Sequence, residues 1–159
     1  MYLSIDPGKC TGCRICEVFC SFKHEQAIQP SKSRIAVIPG QDPGSFIPFT
    51  CQQCARPLCA EACPAGAIAR DTVTGALLID HRRCLGCKLC LLSCQLGCVS
   101  FDSARGVAFK CDLCGGDPEC ARMCPTGAIQ FIPEGLADRQ RRRTGAARLA
   151  QAIHVVEGE

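Results

Sequence analysis

The chain has 159 residues, 17 of them cysteine, with seven Phe, one Tyr, no Trp and a formal net charge of +3. That charge is too small to argue for nucleic acid. No run of 18 apolar residues offers a membrane span, and the opening Met1-Tyr2-Leu3-Ser4-Ile5-Asp6-Pro7 lacks the basic start and apolar stretch of a signal peptide.

In chain order the predicted elements are short. A strand over residues 3–6 leads into the first cysteine run, Cys10-x2-Cys13-x2-Cys16-x3-Cys20, and in every run a short helix carries the third and fourth cysteines. Residues 21–50 form an insertion with one strand-like stretch at 34–38 and a Pro/Gly-rich stretch at 39–44. It reads as a surface loop, with partner docking as the second reading. The second run is Cys51-x2-Cys54-x4-Cys59-x3-Cys63-Pro64, followed by a hairpin over 67–80 that turns near Thr74-Gly75. The third is Cys84-x2-Cys87-x2-Cys90-x3-Cys94, followed by a hairpin over 99–110 that turns near Arg105-Gly106. The fourth is Cys111-x2-Cys114-x5-Cys120-x3-Cys124-Pro125, with a strand over 128–132 after it. Beyond Pro133, residues 134–153 read as a helix with Ala146, Leu149, Ala150 and Ile153 on one stripe. Arg139, Arg141, Arg142 and Arg143 make the tail over 134–159 basic, either a solvated face or a dock for an acidic patch.

The runs are copies of one unit. Ile5-Asp6 through Cys10-Thr11-Gly12-Cys13 aligns with Ile79-Asp80 through Cys84-Leu85-Gly86-Cys87, and Cys63-Pro-Ala-Gly-Ala67-Ile68 aligns with Cys124-Pro-Thr-Gly-Ala128-Ile129. Gly12 and Gly86 let the loop backbone fold tightly over a bound group, since glycine is free at positive φ. Cys98 occupies the place of Ala67 and Ala128, so it reads as a small buried thiol rather than a ligand; a spare ligand is the alternative. Gln95 stands where Pro64 and Pro125 stand and keeps an N–H that could reach sulfur.

Three closely spaced thiolates with a fourth one helical turn on fit the irons of a cubane. In bacterial two-cluster ferredoxins the fourth cysteine of such a run binds the other cluster. Four runs therefore imply four [4Fe–4S] clusters in two interlocked pairs, paired either sequentially or in a nested order. Zinc knuckles come as separated Cys-x2-Cys pairs. A reducing cytoplasm, the expected location, disfavours a disulfide framework. No Cys-x-x-Cys-His offers a haem attachment, and His24, His81 and His154 follow no Rieske pattern.

Over residues 1–133 the four runs resemble the four-cluster ferredoxin-type electron-transfer subunits of multisubunit oxidoreductases. The compact length is most like the small subunit of tungsten-dependent aldehyde oxidoreductase. DMSO reductase and formate dehydrogenase B subunits and the carbon monoxide dehydrogenase iron–sulfur subunit are related. The resemblance implies an α+β fold of two pseudo-symmetric bacterial-ferredoxin-like modules, each with two [4Fe–4S] clusters, plus the helical tail. The outer module would come from the first and fourth runs, the inner one, about 49–103, from the second and third. It also implies nested ligand sets: Cys10, Cys13, Cys16 with Cys124; Cys111, Cys114, Cys120 with Cys20; Cys51, Cys54, Cys59 with Cys94; and Cys84, Cys87, Cys90 with Cys63. The implied partners are a W/Mo-pterin catalytic subunit and a flavin-containing or other redox subunit in an anaerobic complex.

No Gly-x-Gly-x-x-Gly, P-loop or Ser/His/Asp grouping suggests catalysis by the chain itself. The expected role is a non-catalytic electron wire. The alternatives are a freely diffusing polyferredoxin and the iron–sulfur subunit of a hydrogenase or carbon monoxide dehydrogenase complex. Head-to-tail stacking of copies is a further expectation, because such contacts need not close. With so few large side chains the chain depends on its metals for a core. Iron chelation should leave it largely unfolded, read as loss of native far-ultraviolet circular dichroism.

Overall fold

A computed structural model describes residues 1–133 together with 135, 136, 139, 142, 145 and 146. The fold is α+β, and residues 1–133 build four two-stranded antiparallel ladders and four short α-helices. Strand β1 (Tyr2–Ile5) pairs with the last strand, β8 (Ile129–Ile132), in the register Tyr2↔Ile132 to Ile5↔Ile129. The Asp6 N–H extends this ladder to the Ala128 carbonyl at 2.8 Å. The stretch before the first cysteine run is thereby fixed to the stretch after the fourth.

Both expected hairpins form. β4 (Ile68–Arg70) pairs with β5 (Leu77–Ile79), and β6 (Ser100–Asp102) with β7 (Val107–Phe109). Their turns are closed by aspartates. Asp71 Oδ2 accepts from the Thr74 N–H and hydroxyl, and Asp102 Oδ1 accepts from the N–H groups of Ala104 and Arg105. Each is an aspartate folding the backbone just ahead of it, a recurrent way to make a turn.

The helices are α1 (Ile15–Glu25), α2 (Leu58–Glu61), α3 (Leu89–Ser93) and α4 (Glu119–Arg122). Helix α1 packs against α4, and α2 against α3. The expectation that each helix carries its third and fourth cysteines holds only for α1, which contains Cys16 and Cys20. In the other three runs the helix stops short: Cys63 and Cys124 follow a residue that caps it, and Cys94 is itself the cap. These helices are a single turn long, and a turn centred on the following residues takes over.

The insertion is more ordered than a surface loop. α1 runs on to Glu25, and the strand-like stretch becomes β2 (Ile35–Pro39), paired with an unanticipated strand, β3 (Phe46–Thr50). The Pro/Gly-rich stretch is the exposed tip of this hairpin, with Gly40 N–H donating to Ser45 O at 2.9 Å. Pro48 within β3 hid the strand, since proline is disfavoured in sheet interiors; a two-stranded ladder has only edges and tolerates it. Ion pairs fasten the insertion to the second hairpin: Lys32 Nζ meets Asp102 Oδ2 at 2.6 Å, and Arg105 pairs with Glu25.

The core is thin and rich in sulfur. One group packs Leu3, Ile35, Val37, Leu113 and Ile129 among Cys16, Cys20, Cys51, Cys111 and Cys120. Another packs Ile68, Val99 and Ala108 with Cys59 and Cys90. Among the described residues no helix is long and apolar enough to cross a membrane. Of the expected basic tail, residues 135, 136, 139, 142, 145 and 146 are helical and exposed; Arg141, Arg143, Leu149, Ala150 and Ile153 lie outside the described residues.

Glu17 on α1 is 6% exposed, and its Oε1 accepts the Val37 N–H of β2 at 2.6 Å. Truncation strands that donor, at a cost of about 1–3 kcal/mol. Glu17→Ala should lower the thermal midpoint of the metal-loaded protein, and Glu17→Gln should recover most of the loss.

Candidate metal centres

Each cysteine loop turns at the same place. The residue before the second cysteine has positive φ in all four runs: Gly12 at 72°, Gln53 at 50°, Gly86 at 67° and Leu113 at 57°. The glycine expectation thus holds in geometry, but the cause is more specific than backbone freedom. A Cβ on Gly12 would meet the Phe46 ring at 2.6 Å, and one on Gly86 would meet the Gly106 carbonyl oxygen at 2.6 Å. At Gln53 and Leu113 the side chain has a use and the strain is held. Leu113 is 3% exposed in the core. Gln53 accepts the Leu77 N–H at 2.8 Å and donates to the Cys111 carbonyl at 2.9 Å.

The cysteines gather across runs. A cavity of about 180 Å³ is lined by Cys51, Cys54 and Cys59 of the second run together with Cys94 of the third. Cys98 also lines it. A second, smaller cavity is lined by Cys84, Cys87 and Cys90 of the third run together with Cys63 of the second. The Cys120 thiol lies within electrostatic reach of Cys111, Cys20, Cys114 and Cys16, which raise it further after burial has raised it most. Cys16 is pushed up to about 12, first by burial, then by Glu17, with Cys13 and Cys10 also contributing. The pairing of β1 with β8 brings the chain before Cys10 beside the chain after Cys124.

All 17 cysteines are free of disulfides although many stand close together. Burial pushes Cys111 up to about 11, so the apolar surroundings resist bare thiolates. Such a set suits a cationic core that takes the place of the protons, as thiolate-bound metals do.

The fourth cysteine of every run also receives backbone N–H groups. Ala67 donates to Cys63 Sγ at 3.3 Å, Cys98 to Cys94 Sγ at 3.3 Å and Arg34 to Cys20 Sγ at 3.2 Å. Burial raises the Cys124 thiol, but N–H groups of Ile129, Thr126 and Ala128 and the Thr126 hydroxyl bring it below its ordinary value. After Cys63, Cys94 and Cys124 a tight turn is closed by a glycine N–H three residues on, at 3.1, 3.0 and 3.3 Å. The next N–H then faces the sulfur. The expectation that Gln95 supplies this donor is therefore corrected to Cys98. Gln95, like Pro64 and Pro125, sits at the turn position that tolerates proline because its N–H is not used.

Sequence reasoning passed over a charged cluster beside Cys20 and Cys114. His24 Nδ1 meets the Cys20 carbonyl at 2.7 Å and its Nε2 meets Asp112 at 3.1 Å, so both nitrogens act as donors. Burial would lower the His24 pKa, but Asp112 and the neighbouring acceptors more than offset it and raise it to about 12. Asp112 also accepts from Arg34 at 2.5 Å and from the Cys114 N–H at 2.9 Å. His24, Asp112 and Cys114 lie within 4.8 Å of one another. With both ring nitrogens engaged, His24 orients the loop rather than offering a ligand atom.

Residues 43–134 match the family model described as the 4Fe–4S dicluster domain. A polyferredoxin-like subunit of an aliphatic sulfonate oxidoreductase from Pyrococcus furiosus is 41% identical over 124 residues, 78% of this chain and 71% of that protein. The electron transport protein HydN of Escherichia coli K12 is 34% identical over 172 residues, 90% of this chain and 96% of that protein. The beta subunit of an NADH-dependent phenylglyoxylate dehydrogenase from Aromatoleum evansii is 36% identical over 132 residues, 82% of this chain but 30% of that subunit.

The two glycines should fail differently when substituted. Both Ala variants take on positive-φ strain of about 1–2 kcal/mol. The Phe46 ring can turn aside from Gly12→Ala, whereas the Gly106 carbonyl is backbone and cannot. Crowding of that kind adds about 1–3 kcal/mol. Gly86→Ala should lose more bound iron per chain, and melt lower, than Gly12→Ala.

Proposed function

The chain belongs to the 4Fe–4S dicluster family, and from that membership we propose that it is a four-cluster electron-transfer subunit of an oxidoreductase complex, not itself an enzyme. The observation that carries the reading is the pair of cavities in which three cysteines of one run meet the fourth of another. The proposed ligand sets are Cys51, Cys54, Cys59 with Cys94; Cys84, Cys87, Cys90 with Cys63; Cys111, Cys114, Cys120 with Cys20; and Cys10, Cys13, Cys16 with Cys124. [4Fe–4S] clusters supply one-electron chemistry at potentials set by charge, hydrogen bonds and exposure.

The protein's own contribution is to hold and tune. The αL residues bend each loop so that its cysteines converge. The N–H groups of Ala67, Cys98 and Arg34 donate to Cys63, Cys94 and Cys20, favouring the anionic form of those sulfurs. The Cys51–Cys94 cavity has a largely apolar lining, with Leu58, Leu77 and Val99 among it. Cys98 lines the same cavity, but burial pushes its thiol up to about 12, and it stays a protonated neighbour in this reading.

The sequence resemblance proposes a W/Mo-pterin, aldehyde-oxidising catalytic subunit at one end and a flavin-containing or other redox subunit at the other. The 41% identical relative serves, by its name, an aliphatic sulfonate oxidoreductase. The proposed catalytic partner is accordingly an oxidoreductase subunit for small organic substrates.

Anaerobically reconstituted protein should contain roughly sixteen iron and sixteen labile sulfide atoms, four of each per cubane. Because Cys20 is assigned to the fourth run, Cys20→Ser should perturb the same electron paramagnetic resonance signal as Cys114→Ser. It should leave intact the signal removed by Cys13→Ser. Perturbation of the Cys13 signal by Cys20→Ser would overturn the nested sets.

A further inference from the structure

We propose that Lys110 is a fixed buried cation that holds up the reduction potential of the clusters on the second and fourth cysteine runs, and so sets where an electron rests in the relay. The inference depends on the four-cluster reading. Lys110 is 4% exposed. Its Nζ meets three oxygens: the Leu77 carbonyl at 2.5 Å, the Cys111 carbonyl at 2.9 Å and Gln53 Oε1 at 3.5 Å. All three are carbonyl oxygens with no hydrogen to give. Each can accept an N–H from the lysine beside any other donor it has, as Gln53 Oε1 has the Leu77 N–H and the Cys111 carbonyl has Gln53, and an ammonium has three to give. The geometry therefore accounts for every proton of the charged form.

What it leaves out is an anion. Among the described residues Lys110 is paired with no carboxylate. Burying a cation with dipoles alone is costly unless negative charge lies near. The thiolates of two adjoining cysteine runs supply negative charge. Lys110 directly precedes Cys111 of the fourth run, and Gln53, which it contacts, directly precedes Cys54 of the second. Four thiolates around an oxidised cubane core carry about −2, and an added electron makes this about −3. A nearby cation stabilises the reduced state more than the oxidised one.

Two other runs provide an internal comparison. Lys9 and Arg83 also stand immediately before the first cysteine of their runs, but both are exposed. Water and salt screen a charge there. The same residue type at the same place in the repeat is thus an effective tuner only where it is buried.

The test is a potentiometric titration of the full, anaerobically loaded chain, followed by electron paramagnetic resonance, for the parent protein, Lys110→Met, Lys110→Arg, Gln53→Glu and Lys9→Met. Iron and sulfide analysis of the parent examines the four-cluster reading separately. Lys110→Met is expected to weaken reduction of one or two clusters about tenfold, about 59 mV for a one-electron couple, and to leave the others unmoved. Lys110→Arg should recover most of the shift, and Lys9→Met should produce almost none. Gln53→Glu keeps the lysine and neutralises it in place, so it should lower the same signals. It decides the matter if Lys110→Met does not retain its iron. Potentials unchanged in the fully loaded variant, a shift shared equally by all four clusters, or an equal shift from Lys9→Met would each overturn the proposal.

Discussion

Buried thiols that must become anions govern this structure. Cys16, Cys20, Cys51, Cys59, Cys90, Cys111 and Cys120 are all under 9% exposed. Burial drives Cys16 and Cys111 far above an ordinary thiol. A chain with this interior has two stable forms open to it: protonated thiols that repel no one and cross-link nothing, or thiolates neutralised by a multivalent core. Only the second gives the chain the long-range cross-links that its few large side chains cannot supply. The small ladders around the loops, three to five residues per strand, are spacers between sulfur sites more than a self-sufficient core.

The placement of Cys94 and Cys63 in cavities lined by another run's cysteines serves this constraint. A four-cysteine loop that closed on itself would fasten only its own residues. Setting Cys94 beside the second loop and Cys63 beside the third makes each loop depend on the other, and packing of α2 against α3 serves the same end. The β1–β8 ladder, with α1 against α4, does so for the first and fourth loops. The insertion acts through the same positions. Its Arg34 gives one N–H to Cys20 and its guanidinium to Asp112, so a segment with no cysteine of its own ties the first run to the fourth.

Much of this was legible because the signals are local and repeat. Cysteine spacing marks the loops, and the turns at Thr74-Gly75 and Arg105-Gly106 mark the hairpins. What escaped depends on distant partners. β3 carries a proline that argues against a strand until it is seen in an isolated two-stranded ladder. Phe46 explains Gly12 and the Gly106 carbonyl explains Gly86, but neither neighbour is close in sequence. His24 follows no Rieske pattern, and its partner Asp112 is 88 residues away. Lys110 was the least legible of all. Lys9, Arg83 and Lys110 hold equivalent places before a cysteine, and no local feature tells which of them is covered.

The asymmetry between glycine and non-glycine loops has the same origin. Positive φ at the residue before the second cysteine is a common need of all four loops, and glycine meets it with little strain. Gln53 accepts the strain, of order 1–3 kcal/mol, because its side chain joins three elements at once. It ties the Leu77 N–H of β5, the Cys111 carbonyl and the Lys110 ammonium. A glycine there would relax the second loop, yet leave the Leu77 N–H unmet, the Cys111 carbonyl with Lys110 alone and the lysine with one acceptor fewer. The second and fourth runs therefore share a polar joint that the first and third do not have. That joint links the Cys51 loop to the Cys111 loop through one side chain. A repeat copied four times has thus diverged at a contact that belongs to two copies at once.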